Sequence, residues 1–256
     1  MHNKYPKEKA MEWLIPLEEE GLHDGVINTI FNKDYLKHNQ KLFQNKNVVD
    51  LGCHDGQSSS LLSDLGADWV FAIDIRQDLI KSARTKNKTK PICFFTNDIT
   101  NYGLVDALVS ESQVVTCFGA FYHLTDNFTF LDHVCKDNIE YVIIETMFGA
   151  ESPNAFLFPL FENTCHRGNG YHPKYSKVPV CQPNLSWIYQ AINQIGFKLD
   201  YVEKYYRRTD FENLTDFETN KRMILKIYNP NLIKKTNYLK FEDIWEWNEN
   251  NLVHEC

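Results

Sequence analysis

The stretch Val48 to Ser60, reading VVDLGCHDGQSSS, constrains this chain more than any other. An apolar run ends in Asp50. A turn with Gly52 and Gly56 follows, and small hydroxyl residues then open an apolar-periodic segment through Leu61, Leu62 and Leu65. This order predicts a strand, a tight turn and the N-terminus of a helix. Such a junction brings backbone N–H groups and the positive end of a helix dipole against an anionic part of a ligand. The two glycines permit a positive φ or a close backbone approach that a Cβ would obstruct. A second apolar run, Val70 to Ile73, ends in Asp74. An acid at the tip of a second strand is placed to hold ribose hydroxyls.

The rest of the chain continues the alternation. A helix is predicted over Gln77–Lys86 and a third strand over Ile92–Thr96, closing on Asn97, Asp98 and Ile99. The fourth strand, Gln113–Cys117, runs into Phe118-Gly119-Ala120-Phe121-Tyr122-His123, and the fifth covers Tyr141–Met147 with Glu145 near its tip. Residues 149–182 carry several prolines and glycines and read as an irregular lid, since loops of that length in compact domains are usually functional. A helix from Pro183 to Ile195 stops at Gly196, and Phe197–Tyr205 and Arg222–Tyr228 read as a closing antiparallel pair. The expectation is an α/β fold: a Rossmann-like seven-stranded sheet, mostly parallel with the last strand antiparallel, helices on both faces and a lid after strand five. Residues 1–45 are expected to form a helical cover over the cofactor mouth, 46–230 the main domain with the insertion 149–182, and 231–256 a helical tail packed outside.

At 256 residues the chain can bury a large single core. Its start is polar and lysine-bearing, with neither a signal peptide nor a membrane span in view. Seven cysteines without a C-x-x-C pair or metal-ligand spacing fit core thiols, no metal site and a cytoplasmic setting. The net charge of −7 disfavours a broad, nonspecific nucleic-acid surface.

The two acids and the turn resemble the S-adenosylmethionine site of the class I methyltransferases, whose first motif is an acid followed by glycines at alternating positions. Here His54 replaces the middle glycine, so His54 is expected to adopt an unusual φ, which His does more readily than most residues. The dinucleotide fingerprint G-x-G-x-x-G fits this stretch in no register. The resemblance implies S-adenosylmethionine as cofactor, with S-adenosylhomocysteine as product. It places Asp50, Gly52, Cys53, His54, Gly56, Ser58, Asp74, Ile75, Asp98, Ile99 and Phe118 around it. By position, Asp98 would accept from the adenine amine and the N–H of Ile99 would meet the ring; Asp98 as a simple cap is the alternative.

A narrower resemblance covers roughly Leu22 to Met223. The segments Phe118–His123, Glu145-Thr146, Pro183 to Gly196-Phe197 and Thr215 to Arg222 resemble the branch that contains the tRNA wobble-uridine carboxymethyltransferases. In that branch the cofactor carries an extra carboxylate, and counterparts of Phe118 and Tyr122 line its site. The branch's amino-terminal lysine and tryptophan set has no match before Asp50, which favours unmodified S-adenosylmethionine. The Gly-x-His-Asp-Gly turn is also similar to turns in methyltransferases acting on sugars and other small metabolites.

Ligands of open α/β sheets lie beyond the strand carboxyl ends, which makes Tyr122 and His123 the candidate catalytic pair. An aromatic face attracts a sulfonium methyl, and His123 could take a proton near neutral pH or simply hold its loop. On the acceptor side the topology gathers Glu145, His166, Arg167, His172, Lys174, Tyr175, Arg207 and Arg208. A cationic rim on an acidic protein points to an anionic acceptor held by Arg forks, with scattered surface charge as the alternative. The leading expectation is methyl transfer to oxygen or nitrogen of a small, anionic or sugar-linked metabolite. The alternatives are a tRNA-modifying enzyme and a protein that binds S-adenosylmethionine without transferring from it.

Overall fold

A computed structural model describes residues 35–147, 154–155, 157–163, 177–205 and 222–235. The first apolar runs become β1 (Asn47–Leu51), β2 (Trp69–Asp74) and β3 (Ile92–Thr96), separated by α1 (Gln57–Asp64) and α2 (Gln77–Lys86). Then come α3 (Tyr102–Ser110), β4 (Val114–Phe118), α4 (Asn127–Val134) and β5 (Tyr141–Met147). The second half holds β6 (Leu157–Asn163), β7 (Lys177–Pro183), α5 (Leu185–Ile195), β8 (Lys198–Tyr205) and β9 (Arg222–Tyr228).

Seven strands form one sheet in the order β3-β2-β1-β4-β5-β9-β8. The first five are mutually parallel, while β9 runs antiparallel to both neighbours, β5 and β8. Strand order reverses between β1 and β4, and the crevice at such a switch point is where these sheets take ligands.

Side-chain alternation along the strands makes two cores. Val49, Leu51, Val115, Cys117, Val142, Ile144, Leu225 and Ile227 face one side, where Val105, Val109, Phe130, Leu131, Leu185, Ile188 and Ile192 of α3, α4 and α5 cover them. The intervening residues Val48, Val70, Val114, Ile143 and Ile224 face the other side, against Leu62 of α1 and Tyr35, Leu36 and Phe43. Ala72 and Phe94 complete that side with Ile80 and Ala83 of α2. Each fully buried Val, Leu, Ile or Phe contributes about 1.5–3 kcal/mol, so both helical layers are held by the period-2 pattern of the strands.

Three expectations change. The region 149–182 is not irregular where it is described: β6 and β7 pair antiparallel, with Pro159 opposite Cys181 and Phe161 opposite Pro179. Proline cannot donate to a ladder, but in a two-stranded ribbon its nitrogen can face outward, so these prolines are compatible with strands. Pro183 ends β7 instead of opening the helix; α5 begins after Asn184, whose side chain accepts from Trp187 N–H. Residues 232–235, expected to start a helix, are turn and coil. The rest of the tail and residues 1–34 lie outside the described residues. Among the described residues no helix is long and apolar enough to cross a membrane, and five cysteines are free thiols.

Candidate functional site

The turn between β1 and α1 is left-handed three times, at Gly52 (φ 77°), His54 (φ 53°) and Gly56 (φ 81°). His54 thus adopts the conformation that its place in the motif demands. At Gly52 a Cβ would stand 2.6 Å from the Cβ of Ala120, in the loop after β4. At Gly56 it would meet Ala83 and Phe94 at 2.9 Å. The turn is therefore closed down on both flanks. The N–H groups of Gly52 and Cys53 both donate to the Ile73 carbonyl at 2.9 Å, clamping the turn to the end of β2. Helix α1 starts at Gly56 without a side-chain cap, and Ser58 lies half-buried in its first turn. Its first N–H groups are left for another partner, as in helices that receive anions.

Asp74 sits where this turn meets the end of β2, only 3% exposed. Its Oδ2 accepts the His54 N–H at 2.9 Å and Arg76 Nη2 at 2.9 Å; its Oδ1 accepts the Arg76 N–H at 2.9 Å and Arg76 Nε at 2.9 Å. Burial raises its carboxyl, but the Arg76 fork and the two backbone donors outweigh burial and hold it below its usual value. Asp50 lies deeper, taking Ser59 Oγ at 2.6 Å and Thr116 Oγ1 at 2.9 Å. Burial pushes its carboxyl up to about 6, against the pull of the two hydroxyls and aided by the nearby Asp74 charge. Asp50 thus ties β1 to α1 and β4 from beneath the turn.

Cys53 turns its thiol into the core with Ala72, Ile80 and Phe94, leaving its backbone at the turn. Burial drives that thiol well above its ordinary value. Ile75 follows Asp74 half-buried. Asp98, exposed beyond β3, accepts from the N–H and Oγ1 of Thr100 through Oδ1 at 2.8 and 2.7 Å, closing the turn before α3; Ile99 beside it is half-buried. Phe118, the last residue of β4, is half-buried; in the loop beyond it Tyr122 is buried and His123 half-buried. The rings of Tyr122 and His123 are 4.0 Å apart and tilted by 47°. The Leu124 carbonyl of the same loop accepts the Cys181 N–H at 2.8 Å, so the β6–β7 hairpin docks beside this pair. Glu145, 1% exposed, lies against the loop: the Gly119 N–H donates to its carbonyl at 3.1 Å, and a Cβ on Gly119 would be 3.6 Å from its Oε2.

His166, Arg167, His172, Lys174, Tyr175, Arg207 and Arg208 lie outside the described residues. Among the described residues no group of three or more His, Cys, Asp or Glu could hold a metal. Sequence reasoning did not single out Ser59 and Thr116, which hold Asp50, or Arg76, which holds Asp74. The signal for Arg76 was its place two residues beyond the strand-tip acid, close enough for its side chain to fold back.

A mostly parallel seven-stranded sheet with an antiparallel closing pair is a fold shared with solved S-adenosylmethionine-dependent methyltransferases. Residues 48–136 match the family described as a methyltransferase domain. Among solved structures, an S-adenosylmethionine-dependent methyltransferase from Mesorhizobium loti superposes with a TM-score of 0.56 at 13% identity, covering 77% of this chain and 96% of its own. Magnesium protoporphyrin IX methyltransferase from Synechocystis PCC 6803, with bound S-adenosylmethionine, covers 90% of this chain and 100% of its own with a TM-score of 0.53 at 14% identity. By sequence, the ribosomal protein arginine N-methyltransferase rmt3 of Schizosaccharomyces pombe is 33% identical over 97 residues, which are 35% of this chain. The match spans 18% of the yeast protein's length.

Proposed function

We propose that this chain is an S-adenosylmethionine-dependent methyltransferase whose acceptor is a small, anionic or sugar-linked metabolite, working in a reducing cytoplasm. One observation carries the cofactor assignment: the left-handed turn and Asp74 are a single bonded unit, joined by the His54 N–H and the Ile73 carbonyl. Gly52 and Gly56 hold the turn's left-handed shape against Ala120, Ala83 and Phe94, where a Cβ would clash. The donor set suits the cofactor: open N–H groups at α1 for a carboxylate, and a buried acid at the β2 tip for a ribose.

When bound, S-adenosylmethionine supplies an electrophilic methyl on a sulfonium. The chain's task is alignment for an in-line displacement, which depends on positioning more than on acid–base chemistry. Tyr122 and His123, side by side after β4, stand on the side where the acceptor enters. An anionic acceptor oxygen needs no base; a hydroxyl would pass its proton to His123. The cationic residues His166, Arg167, His172, Lys174, Arg207 and Arg208 in the sequence support the anionic acceptor.

A second reading has its own observation. The buried carboxylate of Glu145, at the tip of β5 beside Gly119, would suit a cationic or amine acceptor, and the yeast relative is named for arginine methylation. The wobble-uridine branch supplies a third acceptor class, tRNA. Calorimetry with S-adenosylmethionine and S-adenosylhomocysteine tests the cofactor. Asp74→Ala should weaken both by at least tenfold, since bonds to a charged group are worth about 1.5–3 kcal/mol each; unchanged affinity would remove the assignment. Mass spectrometry of metabolites, proteins and digested tRNA from a deletion strain identifies the acceptor by its missing methyl mark. A mark lost from protein arginine alone would favour the second reading.

A further inference from the structure

Asp74 is already full. A carboxylate offers about four lone-pair sites, and four donors occupy them here: two backbone N–H groups and two from the Arg76 guanidinium, all at 2.9 Å. A ribose diol that binds this acid needs two of those sites. The backbone donors are built into the turn and into the junction of β2 with α2, and neither can leave without unmaking it. The guanidinium can leave by rotation of its own side chain.

We infer that Arg76 is an intramolecular occupant of the ribose subsite, displaced from Asp74 when the cofactor enters. This rests on the proposed function above, which gives Asp74 to the ribose. Two features of the closed fork agree with a provisional contact. The remaining guanidinium nitrogen, Nη1, is buried with no hydrogen-bond partner among the described residues, whereas a permanent buried arginine normally satisfies its donors. A landing place also exists, since Asp78 in the first turn of α2 is exposed and its charge already favours the arginine cation. The closed fork keeps Asp74 ionised while the ligand is away. Its cost is affinity: for a ligand that binds only the open form, the apparent Kd is the intrinsic Kd divided by the open fraction.

The test is calorimetry of S-adenosylhomocysteine with wild type, Arg76→Gln, Arg76→Lys, Asp74→Ala and the double variant Asp74→Ala/Arg76→Gln, each first checked for a cooperative melt. Arg76→Gln should bind about 5- to 50-fold more tightly than wild type, and Arg76→Lys, which cannot fork, should fall between them. In the Asp74→Ala background the Arg76→Gln gain should vanish, because there is no carboxylate left to compete for. A 2′,3′-dideoxy analogue of the ligand should show no gain in either background. If Arg76→Gln does not fold, Arg76→Lys carries the reading. Unchanged or weaker binding in a folded Arg76 variant, with Asp74→Ala still weakened, would overturn the inference and leave the ribose assignment standing. Unchanged binding in Asp74→Ala would overturn both.

Discussion

Asp50 shows at the scale of one residue what the site costs the fold. Its carboxyl is buried and pushed up to about 6 from 3.8, chiefly by burial, although Ser59 and Thr116 pull it the other way. An acid whose folded pKa lies above its unfolded one binds its proton more tightly when folded. Its contribution to stability is therefore greatest below pH 3.8, falls as pH rises to about 6, and is flat beyond. The fall amounts to roughly 3 kcal/mol at 1.36 kcal/mol per unit. Asp74 has the opposite sign: held below its usual value, it adds stability above the unfolded pKa that is lost as pH falls through its folded one. Asp50→Asn should remove the decline between pH 4 and 6 and leave the protein at least as stable at neutral pH, while weakening cofactor binding. Urea unfolding of both proteins from pH 4 to 8 checks this; parallel profiles would rule it out. The need for a left-handed His54 was legible in the sequence because only that conformation continues the glycine pattern. The fork from Arg76 was only half legible: its place two residues beyond Asp74 lets the side chain fold back, but whether it does depends on burial that no local pattern reveals.

Elements with a clean period were legible to the residue. The ranges Gln77–Lys86, Ile92–Thr96, Tyr141–Met147 and Arg222–Tyr228 stand in the structure as read. The β6–β7 hairpin was not legible, because Pro159, Pro179 and Pro183 look like loop punctuation and only pairing shows them to be tolerated. Besides Cys181, Asn184 links the described part of this lid region to the core. The Asn184 side chain caps α5 through Trp187 N–H at 2.9 Å and donates to the Asn154 carbonyl at 2.7 Å, fully buried. Asn184→Ala should cost roughly 1–2 kcal/mol, chiefly the lost cap, since the carbonyl that loses its donor belongs to the exposed Asn154 and can turn to water. Asn184→Asp keeps the cap acceptor and loses only the donor, so it should recover part of that. Chemical denaturation separates them, and an alanine variant within about 0.5 kcal/mol of wild type would show that the link carries little.

Across the whole molecule the sheet separates the two kinds of work. Its carboxyl end holds the left-handed turn, the raised Asp50 and the fork on Asp74. Compensated charge lies away from it: Lys46 pairs with Glu140 just before β1 and β5, and on the β8 edge Asp200 takes Lys226 at 3.0 Å and Lys235 at 2.6 Å. The Lys235 ammonium also lies 5.4 Å from the Tyr228 ring centre, fastening the segment after β9 across the start of β5. Four strand spacings, from β1 through β4, β5 and β9 to β8, put about 19 Å between Asp50 and Asp200, at about 4.8 Å each. Sites that far apart, with no shared partners, should act independently. Asp200→Asn, which leaves two ammonium groups facing an uncharged amide, should lower stability by about 1–2 kcal/mol, the range between an exposed and a buried pair. The loss should shrink in high salt, because all three groups are partly exposed. Affinity for S-adenosylhomocysteine should not change. Combined with Asp50→Asn, the two effects on unfolding free energy should add to within about 0.5 kcal/mol. A fall in cofactor affinity on Asp200→Asn, or a larger departure from additivity, would show that the sheet transmits from its β8 edge to the turn instead of insulating them.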